Sequence, residues 1–105
     1  MEGSNFVELI GKITSPQFKV VGGGHKLFKS RIAVPTADGK HQYIKTAAWR
    51  DNAENLNDLS EGTFVKIHGH IEERSYDGKC RHCGGFDKKY WTEVVVDNFI
   101  VVNEE

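Results

Sequence analysis

Polar and apolar residues alternate one by one through most of this 105-residue chain, and no other feature limits its possible folds so sharply. Side chains on a β-strand point to opposite faces in turn, so a period of two sorts a segment into one buried and one solvated set. Phe6 to Ile13 does this: Val7, Leu9, Gly11 and Ile13 share one side, Phe6, Glu8, Ile10 and Lys12 the other. Lys26 to Val34 repeats it, with Phe28, Ser30, Ile32 and Val34 opposed to Leu27, Lys29, Arg31 and Ala33. Gln42 to Trp49 sets Tyr43, Lys45, Ala47 and Trp49 against Ile44, Thr46 and Ala48. Thr63 to Tyr76 turns Val65, Ile67, Gly69 and Ile71 inward, and a last strand runs from Tyr90 to about Val102.

The punctuation between these segments is specific. Ser15-Pro16 breaks the first pattern, Phe18 to Val21 is a short extended piece, and Gly22-Gly23-Gly24 suits a hairpin tip. Pro35 to Lys40, with Asp38-Gly39 at its centre, reads as a turn. After Trp49 the residue types change: Asp51 or Asn52 can cap a helix, Ala53, Leu56 and Leu59 form its apolar stripe, and Gly62 stops it. Gly69 is the natural bend in a long fourth strand, Asp77 to Lys89 is a polar excursion, and Asp97-Asn98 kinks or ends the fifth strand. Three strands, one helix and two strands is the order of an OB-fold. The expected fold is therefore all-β, a five-stranded barrel with a short helix between strands three and four.

At 105 residues there is room for one domain and one core. No apolar run is long enough to span a membrane and no charged-then-apolar leader opens the chain, so an unsecreted, cytoplasmic protein is expected. The net charge of −1 hides an asymmetry. Residues 1–50 hold eight Lys or Arg against three Asp or Glu, whereas residues 51–105 hold six against twelve. The basic excess thus falls in the half that holds the Tyr43 to Trp49 strand, where aromatic and cationic side chains share a face. If that strand pairs with the one before it, Lys29 and Arg31 lie beside Lys45 and the rings. Such an arrangement suits unpaired bases stacked on aromatic faces with phosphates held by cations. A half-buried strand that packs Trp49 inside is the competing interpretation.

The segments NFVELIG (Asn5 to Gly11), RIAV (Arg31 to Val34), AWRDNAENL (Ala48 to Leu56), EGTFVKIHG (Glu61 to Gly69) and YWTEVVVDN (Tyr90 to Asn98) together resemble the bacterial-type single-stranded DNA-binding proteins. The resemblance covers nearly the whole chain in order. It implies a homo-oligomer, tetramer or dimer, paired through the first strand, where Phe6 and Ile10 make the second face too apolar for plain solvent. It also implies binding of single-stranded DNA with little sequence preference in replication, recombination or repair. On that alignment Trp49, Tyr43 and Tyr76 are stacking residues and Lys29 and Arg31 line the DNA track; by their charge, Lys45, Arg50 and Arg74 are expected to join those two in neutralising phosphates. Solvated charge is the alternative for these cations, especially for Arg74 beside Glu72 and Glu73. Phe86 and Trp91 either add contacts or cover the barrel.

Two departures stand out. The family's aromatic after the second strand has no counterpart in Pro35 to Lys40, and the family's long acidic-tipped tail is not found before Asn103-Glu104-Glu105. A truncated or small, phage- or plasmid-type version is one expectation, a nucleoid-associated protein that recruits replication or repair proteins differently another.

Cys80, His82 and Cys83 form a compact cluster. Zinc asks for four ligands, so His68, His70 or a second subunit would have to complete a site; a redox thiol pair and two reduced thiols in a loop are the alternatives. No phosphate-loop motif or nucleophile–base pair is evident, and no enzyme is expected. Two rivals to DNA coating follow: a primosome-like OB-fold interaction module with weak DNA binding, and a zinc- or thiol-dependent enzyme built on Cys80 and Cys83.

Overall fold

The structure, a computed structural model, describes residues 2–79 and 86–102. Five strands, β1 (Val7–Val21), β2 (His25–Pro35), β3 (His41–Trp49), β4 (Phe64–Lys79) and β5 (Phe86–Val101), and one helix, α1 (Asp51–Asn57), follow in the order β1-β2-β3-α1-β4-β5. The strands close into a barrel in the order β1-β2-β3-β5-β4, all neighbours antiparallel except β3 and β5. This is the five-stranded OB-fold expected from the alternation.

The buried sets that the alternation picks out supply the core. Ile13, Phe28, Ile32, Ala48, Val65, Ile67 and Val96 pack together with Ala53 and Leu56 from α1. The helix closes one end of the barrel, and Leu56 is only 2 % exposed, so its truncation to Ala should cost about 2–5 kcal/mol. Two glycines allow the sheet to bend this tightly. A Cβ on Gly11 would stand 2.4 Å from the Ala33 carbonyl oxygen, and one on Gly69 2.1 Å from that of Val95. The β4–β5 ladder shifts register between His68 and Gly69, at the bend the sequence marks.

Several expectations need correction. Ser15-Pro16 does not end β1; the strand continues through a bulge between Thr14 and Gln17, with Ser15 at φ 50°. A bulge absorbs one extra residue while the ladder resumes beyond it, which alternation alone cannot register. Neither Asp51 nor Asn52 caps α1. The N-cap is Arg50, without a side-chain cap, and the Asn52 amide instead donates to the carbonyl oxygens of Val96 at 3.4 Å and Asp97 at 3.0 Å, tying α1 to β5. Leu59 lies beyond the helix but packs on the core. Ile71, placed inward by pattern, is 45 % exposed, because β4 has left the barrel wall by that point. The excursion is largely a continuation of the β4–β5 hairpin, paired out to Lys79 and Phe86, and β5 runs through Asp97-Asn98 without stopping.

Candidate nucleic-acid interface

Strand register decides what the outer face of the barrel presents. On β2 and β3 the register pairs Lys29 with Ala47, Arg31 with Lys45 and Ala33 with Tyr43, so residues directly opposite project to the same side. Three cations from adjacent strands thus converge. They border a cavity of about 430 Å³ whose further lining includes Trp91 and Glu93 of β5. A second cavity, about 410 Å³, adjoins it and shares Lys45, Trp91 and Glu93 while adding Tyr43. Tyr43 is 58 % exposed. Lys29, Arg31 and Lys45 enter no ion pair among the described residues.

Trp49 is neither sealed in the core nor fully open. Half-buried at the end of β3, it borders a third cavity of about 470 Å³ with His25, Arg50, Glu72, Arg74 and Val95. Ala47, between the two rings, is fully buried, because β5 runs beside it with Val95 in register. The gap between Tyr43 and Trp49 is therefore filled by the neighbouring strand. Arg50 is exposed at φ 59°, a backbone region that L-residues enter at a cost of about 1–3 kcal/mol.

The β4–β5 side is built differently. Its outward side chains form a chain of charges across the two strands. His70 Nδ1 lies 3.0 Å from Asp97 Oδ2, and its Nε2 lies 2.7 Å from Glu72 Oε2. Glu72 Oε1 is 3.2 Å from Arg74 Nη2, and Arg74 Nε donates to Glu93 Oε1 at 3.0 Å. The hydrogen bond to Asp97, and then that to Glu72, hold His70 protonated above its ordinary range, against the opposing effect of burial. Glu93 is 7 % exposed, a carboxylate that Arg74 makes tolerable in that position. Arg74 is thus engaged by two carboxylates, whereas Lys29, Arg31 and Lys45 are not.

Of the aromatic and basic positions singled out above, Lys29, Arg31, Tyr43 and Lys45 meet at two adjoining cavities, and Trp49, Arg50 and Arg74 at the third. Tyr76 has its backbone in register with Lys89, and its side chain lies outside the described residues. The cluster Cys80, His82 and Cys83 lies outside them entirely. Among the described residues no three His, Cys, Asp or Glu side chains group as a metal site, so His68 and His70 do not form one with described neighbours. Sequence reading missed Glu93 as part of this surface. Its place between Trp91 and Val95 in an alternating strand was the available signal.

Residues 4–102 match the single-strand binding protein family. The chain is 35% identical over 101 residues to the single-stranded DNA-binding protein of Clostridium tetani, an alignment covering 89% of this chain and 66% of that protein. It is 32% identical over 104 residues to the protein of the same description from Oceanobacillus iheyensis, covering 90% and 60% respectively. This chain spans about half to two-thirds of the length of the curated relatives it matches. In structure it is similar to the dimeric N-terminal domain of the PriB protein from Thermoanaerobacter tencongensis, with a TM-score of 0.70 and 29% identity over 95% of this chain and 98% of that one.

Proposed function

The chain belongs to the single-strand binding protein family, and on that premise we propose that it binds single-stranded DNA with little sequence preference, as a binding protein rather than an enzyme. The observation that carries this reading is the convergence of Lys29, Arg31 and Lys45 around cavities that also hold Tyr43 and Trp91. Aromatic faces accept any base, and cations follow the phosphates that every sequence shares. Trp49 and Tyr43 are the stacking residues on this reading, with Lys29, Arg31, Lys45 and Arg50 on the backbone of the polymer. Replication, recombination and repair are the settings in which such coating serves. On the family reading this chain meets DNA in the cytoplasm; no helix among the described residues is long and apolar enough to cross a membrane.

A homo-oligomer through β1 is part of the proposal. Phe6 and Ile10 are 68 % and 44 % exposed, and Ile10 and Ile100, itself 60 % exposed, flank Lys66 in one row across β1, β4 and β5. A second reading, a primosome-like OB-fold module that touches DNA only weakly, is favoured by the likeness to the PriB domain and by the carboxylates on the β4–β5 side.

Intrinsic tryptophan fluorescence titrated with oligo-dT at two salt concentrations separates the two. Base stacking at Trp49 quenches emission at low salt, and binding weakens as salt rises; an unchanged spectrum at saturating oligonucleotide sinks the coating function.

A further inference from the structure

The cavity beside Trp49 holds a cation already paired with two carboxylates. Arg74 borders that cavity with Trp49, Arg50 and Glu72, and two of its three guanidinium nitrogens meet carboxylates, Nε with Glu93 Oε1 at 3.0 Å and Nη2 with Glu72 Oε1 at 3.2 Å. The two carboxylates are not equivalent. Glu93 is 7 % exposed and needs a cation to be buried at all, whereas the Glu72 side chain is 39 % exposed and needs none. Glu72 lines the same cavity as Trp49, so its charge faces a phosphate attached to any base stacked on that ring. Its other oxygen is bonded by His70 at 2.7 Å, and His70 is bonded in turn by Asp97, so the carboxylate is fixed in position.

From this geometry we infer that Glu72 is a positioning residue that sets the strength of single-stranded DNA binding: it pairs with Nη2 of Arg74, offsets the charge that cation shows the polymer and leaves phosphate contacts to Lys29, Arg31, Lys45 and Arg50. The inference rests on the proposed function and deepens it. Glu93 holds the guanidinium at Nε, and Glu72 offsets its charge at Nη2. Neutralising Glu72 therefore leaves Arg74 anchored by Nε, with its Nη groups turned to the cavity of Trp49 and free to pair with a phosphate.

The test uses the full chain, oligo-dT and fluorescence titration across a salt series, with thermal melts to establish folding. Glu72→Gln should bind about fivefold more tightly at 0.1 M salt and steepen the log–log salt dependence by about 0.7, the contribution of one added phosphate contact. In Glu72→Gln combined with Arg74→Gln, the gain should vanish. A gain that survives in the double variant, or affinity in Glu72→Gln equal to or below that of the parent, overturns the inference. Glu72→Ala, which removes the hydrogen-bond acceptor as well as the charge, carries the same expectation and serves if Glu72→Gln melts prematurely. If the parent chain fails to bind oligo-dT, the coating function falls and the inference with it; if the parent binds and Glu72→Gln does not bind tighter, only the inference falls.

Discussion

The two sides of the outer face use similar residue types to opposite effect. On β2 and β3, Lys29, Arg31 and Lys45 stand together without an ion-pair partner among the described residues. On β4 and β5, Asp97, His70, Glu72, Arg74 and Glu93 are linked by contacts of 2.7 to 3.2 Å into one chain of alternating charge. Charge that is paired inside a protein stabilises it locally and offers little to an outside ion; unpaired charge does the reverse. The lesson is that counting cations on a face does not count phosphate sites. Only the cations without carboxylate partners enter that number.

Removing the unpaired group is the strongest way to break the comparison. Lys29→Ala, Arg31→Ala and Lys45→Ala together should reduce the salt slope by about 2 and weaken oligo-dT binding about a hundredfold at 0.1 M salt. A salt titration checks it, and a slope that stays put would mean that phosphates run elsewhere. Next in size is Trp49→Ala, which should cost about 2 kcal/mol of binding, about thirtyfold, in a variant that melts as the parent does. A lower melting temperature with parental affinity would reassign Trp49 to packing.

On the ion-paired side the effects fall on stability. Gly69→Ala should destabilise by about 2 kcal/mol or more in denaturant unfolding, since its Cβ would collide with the Val95 carbonyl oxygen at the bend from which the charge chain begins. The smallest expected effect is on pH dependence. Because its carboxylate partners raise the His70 pKa in the folded state, its stabilisation is fully present below the ordinary histidine value and is lost as pH rises through the raised one. The melting temperature of the parent should therefore fall as pH rises from the ordinary histidine value through the raised one, and His70→Gln should flatten that decline. Equal curves for both proteins would show the chain of charges to be energetically idle.

Alternation by itself carried the five strands, their order around the single helix, and the sides on which Lys29, Arg31, Tyr43, Lys45 and Trp49 fall, because side-chain direction on a strand is a local consequence of backbone geometry. Gly69 was legible as a bend for the same reason: a residue without a side chain in a buried row signals close approach. The bulge at Ser15-Pro16, the uncapped start of α1 at Arg50 and the exposure of Ile71 were not, since each depends on where a partner strand or the barrel wall ends. Nor does any local pattern state that Glu93, nineteen positions from Arg74, takes that guanidinium. Which strands become neighbours is decided by closure of the barrel, and closure decides which charges neutralise one another and which are left facing solvent.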